Sequence, residues 1–135
     1  HALVGRWVNL GAFTTNSDLK NNYTSVRIWT PEGDEDSGLI KVGCFIGDHV
    51  TTGIGTLLNT GAIIGAGSNV FGGLMAPSVV PPFSWGSGED LEDHRLEKFL
   101  QTAERVMARR GQKLTSGMAN VLRIAWEKTE KRRRK

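Results

Sequence analysis

The chain has 135 residues, of which 39% are hydrophobic and 23% charged, values typical of one soluble globular domain with its own core. The formal net charge of +3 indicates no particular partner, and no apolar run is long enough to cross a membrane. Cys44 is the only cysteine, so an internal disulfide is excluded and we expect a cytoplasmic protein. Because the chain opens with His1 instead of Met, we also expect a fragment or a processed product.

Apolar or small residues recur every six positions through much of the first 75 residues. A period of six fits neither an amphipathic helix nor an alternating strand, and it predicts a triangular solenoid of stacked parallel strands with glycines near its corners. Earlier members of this pattern are Val4, Val8, Leu10 and Thr14, and later ones are Ile40 and Cys44. The two continuous series are Ile46, Thr52, Leu58, Ile64 and Val70, and Val50, Thr56, Ala62, Ser68 and Leu74, with Gly47, Gly53 and Gly65 after members of the first.

The repeat is interrupted at about residues 16–39, which we expect to loop out of the solenoid as an arm. Val26, Ile28 and Trp29 predict a short strand inside this arm. The acidic residues Glu32, Asp34, Glu35 and Asp36 follow it.

The repeat ends near Met75, where prolines remove backbone donors, and we expect Phe83 and Trp85 to cover the open end. We therefore assign residues 1–86 to the solenoid and 87–135 to a helical tail. A 3.6-residue period predicts two helices there. The first stops at Gly111, and its apolar face consists of Leu96, Phe99, Leu100, Ala103, Val106 and Met107. The second runs from about Thr115 to Glu130, and its apolar stripe consists of Met118, Val121, Leu122 and Ala125.

Basic residues crowd the C-terminus, at Lys128 and Lys131 and through residues 132–135. We interpret them as a solvated chain end, and an anion-binding patch is the alternative. No nucleic-acid partner is expected.

Several segments resemble one family. The run from Val8 to Ala12, the run from Thr14 to Tyr23, residues 43–50, residues 81–86 and residues 103–110 resemble the C-terminal half of GlmU-like bifunctional sugar nucleotidyltransferase/acetyltransferase proteins. This resemblance implies a mainly β, left-handed parallel β-helix built from hexapeptide repeats, with an extended loop and a C-terminal two-helix tail. It also implies a homotrimer that uses acetyl-CoA as a cosubstrate. No doubly wound nucleotide-binding signature is present in these residues, so pyrophosphorylase chemistry is not expected here.

The resemblance and the chemistry of acyl transfer select the candidate site residues. Transfer to an amine needs a base, usually a histidine, and His49 stands at an outward hexad position with Asp48 beside it. His94 is expected on the surface of the first tail helix. Asn9 matches the family's sugar-phosphate asparagine, although asparagine is also common at solenoid corners. Asn16, Lys20 and Tyr23 fall in the loop that borders the substrate, where Lys20 is suited to hold a phosphate.

The leading hypothesis is therefore the C-terminal domain of a sugar-nucleotide biosynthesis transferase that acetylates a hexosamine 1-phosphate. Two departures weaken it: Phe13 replaces a small residue after the Asn-Leu-Gly-Ala motif, and the family's upstream histidine has no counterpart. The alternative is a non-catalytic trimerisation or regulatory module for a nucleotidyltransferase domain outside these residues. We expect no metal site, and zinc held by three copies of His49 is a minor third hypothesis.

Overall fold

The computed structural model describes residues 1–133 and shows a mainly β chain of short strands in parallel sheets, followed by a few helices. Most strands are two residues long. The strands are β1 (Leu3–Val4), β2 (Thr15–Asn16), β3 (Arg27–Thr30), β4 (Gly33–Asp36), β5 (Phe45–Ile46), β6 (Thr51–Thr52), β7 (Leu57–Leu58), β8 (Ile63–Ile64), β9 (Asn69–Val70), β10 (Val79–Val80), β11 (Ser84–Ser87) and β12 (Asp90–Asp93). The helices are α1 (Leu96–Ala108), α2 (Ser116–Lys128) and α3 (Glu130–Arg133).

Parallel pairing follows the six-residue repeat. Phe45 pairs with Ile63, Thr51 with Asn69 and Leu57 with Met75, so each partner lies three hexads further along the chain. Two four-stranded sheets result, in the orders β1-β5-β8-β10 and β12-β11-β9-β6. The strands β2 and β7 form a third parallel sheet, which has two strands.

The stack continues beyond the end predicted for it at Met75. Val79 pairs in parallel with Ile63, and Trp85 with Asn69, which adds one more layer to two of the sheets. The prolines are accommodated because Pro81 and Pro82 lie between β10 and β11 and not inside either strand. β12 then pairs antiparallel with β11, so the first part of the predicted helical tail is a strand.

The core confirms most of the two predicted apolar series. All five members of the first series and the first four of the second are buried, including Thr52, Thr56 and Ser68. These hydroxyls are satisfied by the chain itself; the Ser68 hydroxyl, for example, donates to the Pro81 carbonyl at 2.9 Å. Val4, Leu10, Ile40 and Leu74 were expected in the same pattern and are instead exposed. Ile40 and Leu74 lie where the stack gives way to a loop, and Val4 and Leu10 lie in the first layer, at the edge of the sheets.

The glycines perform two separate tasks. Gly47, Gly53 and Gly65 lie near the corners as predicted, since each directly precedes a turn, but they are not the left-handed residues of those turns. Left-handed backbone recurs every six residues instead at Gly55, Gly61, Gly67 and Gly73. Gly65 has ordinary backbone angles and is needed for close approach, since a Cβ on it would lie 2.3 Å from the Pro82 nitrogen in the next layer.

These left-handed residues stack into three turn columns. The first contains Trp7, His49, Gly67 and Phe83, and amides donate along it, from His49 to the Arg6 carbonyl and from Gly67 to the Asp48 carbonyl, both at 2.8 Å. The second contains Phe13, Gly55 and Gly73. The third contains Gly61, whose amide donates to the Gly43 carbonyl at 2.9 Å.

The arm leaves the stack of parallel strands at the third turn column and returns to it there. It carries an antiparallel hairpin, β3–β4, where one strand was predicted. Val26 is fully buried where the hairpin meets Gly61.

The tail helices match their predicted positions closely. Phe99, Ala103 and Met107 of α1 are buried, and Gly111 adopts left-handed backbone just after the helix. The Thr115 hydroxyl caps α2 by accepting from the Met118 amide. Leu122 and Ala125 pack inward as expected, but Met118 and Val121 are exposed because α2 is covered on one side only.

Phe83 covers the end of the core as predicted. Its ring is 1% exposed and packs edge-on against Phe99 at a centroid distance of 5.1 Å. The same role for Trp85 is wrong, since Trp85 faces outward from β11 and packs against Phe71 at 4.6 Å.

The interpretation of the C-terminus as a solvated end is wrong for Arg133, whose side chain is 1% exposed. It donates to the Asp93 carboxylate at 3.1 Å and to the Trp126 carbonyl at 2.9 Å, and its guanidinium lies 4.6 Å from the centre of the Trp126 ring. Arg134 and Lys135, the last residues of the predicted basic patch, lie outside the described residues. No helix within residues 1–133 is long and apolar enough to span a membrane.

Candidate functional site

A polar cleft lies between the arm and the third turn column. Its lining includes two cations, several amides and hydroxyls, and no carboxylate within the described residues. The side chains that concern a ligand are Lys20, Arg27, Asn21, Asn22, Asn59 and Thr60. We call this the Lys20 cleft.

The arm holds its two cations at the cleft by bonds to its own backbone. The Lys20 ammonium donates to the Ser25 carbonyl at 2.6 Å, and the Arg27 guanidinium donates to the Asp34 carbonyl. Each group has further N–H donors beyond these bonds, because an ammonium has three and a guanidinium five. The cleft therefore offers positive charge and hydrogen-bond donors to an anion.

The nearby acidic residue Asp36 makes no ion pair with the cleft cations within residues 1–133, although its charge acts on both of them. Its pKa is lowered chiefly by a hydrogen bond from the Gly38 amide, then by one from the Ser25 hydroxyl, with smaller contributions from Arg27 and Lys20. The carboxylate is therefore ionised and occupied by groups of the arm itself.

The other predicted substrate residues lie outside the lining of the Lys20 cleft. Asn16 is exposed on β2, and its amide donates to the Ser17 carbonyl at 3.3 Å. Tyr23 is 68% exposed in a left-handed turn closed by its own amide and the Lys20 carbonyl. The structure thus places Lys20 in a cleft, and it leaves Asn16 exposed on the stack and Tyr23 exposed on the arm.

Asn9 lies in a different, smaller cleft, between the first turn column and the end of α1. Trp7 and Val8 line it from the stack, and Val106, Arg109 and Arg110 line it from the helix. Asn9 pairs in parallel with Thr51, so its side chain faces outward beside the helix. The two arginines make this a second cationic cleft.

His49 is half-buried beneath α1. Its ring packs edge-on against Phe99 at a centroid distance of 5.9 Å. Burial lowers its pKa, and the neighbouring Asp48 carboxylate opposes that shift. The neutral ring has the protonation state that a general base requires. The Asp48 carboxylate itself accepts from the Arg6 amide at 2.7 Å, which ties it to the stack.

His94 precedes α1 and is not on the helix surface, contrary to its prediction. Its Nδ1 lies 3.0 Å from the Gly67 carbonyl, and its own carbonyl accepts from the Trp126 indole. Burial lowers the pKa of His94, and the bond to Gly67 opposes this. The residue joins the stack to both tail helices.

Of the side chains named for the Lys20 cleft, only Lys20 was predicted as a site residue. Its neighbours Asn21 and Asn22, and the more distant Arg27, Asn59 and Thr60, were not. Asn59 and Thr60 stand between two members of the buried hexad series, so their outward position was visible in the repeat. Arg27 sits between the apolar residues Val26 and Ile28, and only the hairpin reveals which way it faces.

No group of three or more His, Cys, Asp or Glu side chains within residues 1–133 is arranged to hold a metal ion. No protein-family model matches the chain, and no curated protein matches it either.

Proposed function

We propose that this chain is a left-handed parallel β-helix domain of the hexapeptide acyltransferase group, and that it binds a hexosamine 1-phosphate in the Lys20 cleft for acetylation by acetyl-CoA. The fold part of the proposal is supported by pairing partners three hexads apart and by left-handed residues every six positions. A three-sided coil with one hexad on each side accounts for both regularities.

The proposal that the chain binds a hexosamine 1-phosphate is supported by the side chains that line the Lys20 cleft. A sugar phosphate presents a dianionic group beside several hydroxyls. Lys20 and Arg27 supply charge for the phosphate, and the side chains of Asn21, Asn59 and Thr60 supply donors and acceptors for hydroxyls.

The base proposed for the reaction is His49. Its lowered pKa keeps the ring neutral near pH 7, so it can accept the proton that the attacking amine loses. His49 is not part of the Lys20 cleft lining of its own chain, so one chain alone does not join base and phosphate site. In a trimer, a neighbouring chain brings its own surfaces to each cleft, and the acetyl-CoA would lie between chains.

The experiment is incubation with acetyl-CoA and glucosamine 1-phosphate, with free CoA measured by a thiol reagent. We expect turnover by the unmodified chain and its loss in His49→Asn, since asparagine tolerates the left-handed backbone at this position. His94→Asn is the matched control, because it replaces a second half-buried histidine outside the proposed chemistry. An unmodified chain that releases no CoA above buffer would contradict the proposal.

The second candidate is a non-catalytic trimerisation module, and one observation favours it. Apolar side chains are exposed along the second turn column, with Phe13 87%, Ile54 69% and Leu74 54% exposed. Such a line is typical of a surface that another chain covers. A trimer by light scattering, combined with no acetyl transfer and no binding of glucosamine 1-phosphate, would favour this candidate over the enzyme.

A further inference from the structure

The C-terminal helix α3 contacts the arm near the tip of its hairpin. The Trp29 ring on β3 has its centre 5.8 Å from the Arg132 guanidinium, within the range of a cation–π contact. Beside Trp29, the Thr30 hydroxyl donates to the Gly33 carbonyl, so the hairpin turn closes on itself. Arg132 therefore holds the hairpin near its tip, while the buried Val26 holds its base.

The backbone that carries Arg132 is itself fixed by the next residue. The Arg133 guanidinium donates to the Asp93 carboxylate at 3.1 Å, to the Pro82 carbonyl at 3.3 Å and to the Thr129 hydroxyl at 2.8 Å. These bonds tie α3 to the end of the stack and to the end of α2. Arg132 consequently meets the hairpin from a fixed position.

Strand β3 connects this contact to the Lys20 cleft. Arg27 and Trp29 are two residues apart in one strand, so their side chains point to the same face of the hairpin. Trp29 pairs across the hairpin with Asp34, and the Arg27 guanidinium donates to the carbonyl of that same Asp34. A displacement of Trp29 therefore moves the acceptor that fixes Arg27, one of the two cations that line the cleft.

Only a short segment of chain separates Arg132 from the Lys20 cleft. Ser78 lines that cleft, and the residues on either side of it, Pro77 and Val79, line a smaller cleft together with Arg132. Arg132 is therefore near the Lys20 cleft without being part of its lining, and any effect on a ligand there has to pass through another residue.

We propose that Arg132 is a positioning residue for the Lys20 cleft. Through Trp29 and Asp34 it holds Arg27 where the guanidinium meets the phosphate of a hexosamine 1-phosphate. The inference rests on the proposed function, because Arg27 has this role only if the cleft binds that ligand. It extends the proposed function by giving the C-terminal helix a part in binding.

Charge reversal at Arg132 tests the proposal. Arg132→Glu removes the cation from the Trp29 ring and adds a carboxylate to the hairpin face that already carries Asp34 and Asp36, so the hairpin should move away from α3. Calorimetry should show the dissociation constant of glucosamine 1-phosphate raised by about threefold or more. Arg132→Lys keeps a cation over the ring and should bind within about twofold of the unmodified chain. Lys131→Glu is the matched control, because it makes a like charge reversal at the neighbouring exposed residue.

Two further measurements separate positioning from a general loss of structure. In a chain that already carries Arg27→Gln, Arg132→Glu should cause no further loss of affinity, since its effect passes through Arg27. In ¹⁵N spectra of the chain without ligand, the Arg27 Nε–Hε signal should shift in Arg132→Glu and stay in place in Lys131→Glu.

The outcomes distinguish this role from the function proposed above. An Arg27 signal that Arg132→Glu leaves unchanged would overturn the positioning role and leave the proposed function standing. An equal loss of affinity in Lys131→Glu, or an undiminished further loss in the Arg27→Gln chain, would also overturn it, because general charge or another route would then be responsible. An unmodified chain that binds no glucosamine 1-phosphate would overturn the proposed function and the positioning role with it.

Discussion

The closest packing between layers of the stack occurs at Gly65, and replacing it with alanine is the most direct perturbation of the layered arrangement. The added Cβ would lie 2.3 Å from the Pro82 nitrogen and 2.6 Å from its Cα, both backbone atoms. Restoring an ordinary contact requires the two layers to separate by about 1 Å. The Gly65 amide donates to the Val80 carbonyl at 2.9 Å, and this bond and the Ser68–Pro81 bond beside it would be stretched.

The magnitude follows from these losses. Overpacking of this kind costs about 1–3 kcal/mol and each of the two weakened hydrogen bonds about 1 kcal/mol, so we expect Gly65→Ala to lower the free energy of unfolding by about 3–5 kcal/mol. Gly55→Ala is the comparison, because its backbone is left-handed but the nearest atom to its Cβ is 3.7 Å away. It should cost only the backbone strain, about 1–2 kcal/mol.

The assay is urea unfolding followed by circular dichroism, with Gly38→Ala as the second comparison. Gly38 is also left-handed, but nothing lies within 4 Å of its Cβ position and it sits in the arm. If Gly65→Ala proved no more destabilising than Gly38→Ala, the close stacking of layers at Pro82 would be refuted.

Three further predictions concern the site, the tail and pH. Lys20→Ala should weaken binding of glucosamine 1-phosphate by about tenfold, because one charge-assisted bond to phosphate is lost; calorimetry measures this, and an equal loss in the exposed Lys113→Ala would point to general charge instead. Arg133→Met should lower the free energy of unfolding by about 3 kcal/mol, since it leaves the Trp126 carbonyl and the partly exposed Asp93 without their donor; urea unfolding that matches the unmodified chain would contradict this. Burial lowers the pKa of both His49 and His94 below the unfolded value of 6.5, so the neutral forms favour folding and stability should fall as pH drops below about 6.5. Replacing both with glutamine should flatten that dependence between pH 7 and 5, and unchanged pH dependence of the melting temperature would show that other groups cause it.

The sequence predicted the parallel stack because its signal is local and repeated. Each hexad places a residue such as Ile64 or Val70 inward, so five consecutive repeats indicate the core without knowledge of long-range contacts. The α1 face was predictable for the same reason, since Phe99, Ala103 and Met107 share one side of a helix.

What the sequence did not predict depends on contacts between distant segments. The layer formed by β10 and β11 follows a shortened repeat, because Val79 pairs with Ile63 only sixteen residues back, and the pattern of six no longer marks it. The burial of Arg133 depends on Asp93 and Trp126, which are distant in sequence and meet only in the packed tail. Residue types alone favour solvent for such an arginine.

The candidate site shows the same difference between residues predicted from local sequence and residues brought together by distant contacts. Lys20 was predicted from its place in the arm, and it lines the polar cleft. Its companions Arg27 and Thr60 are far apart in sequence, and only the seating of the hairpin on the third turn column brings them together. Asn9 was grouped with Lys20 by resemblance, yet the stack places it at the first turn column beside Arg109.

The central claim, that the Lys20 cleft binds a sugar phosphate, is tested most directly by titrating the ¹⁵N-labelled chain with glucosamine 1-phosphate and following amide chemical shifts. We expect saturable shifts at Lys20, Asn21, Asn22, Asn59 and Thr60, which line the cleft. Shifts confined to Asn9, Arg109 and Arg110, or none at millimolar ligand, would contradict it.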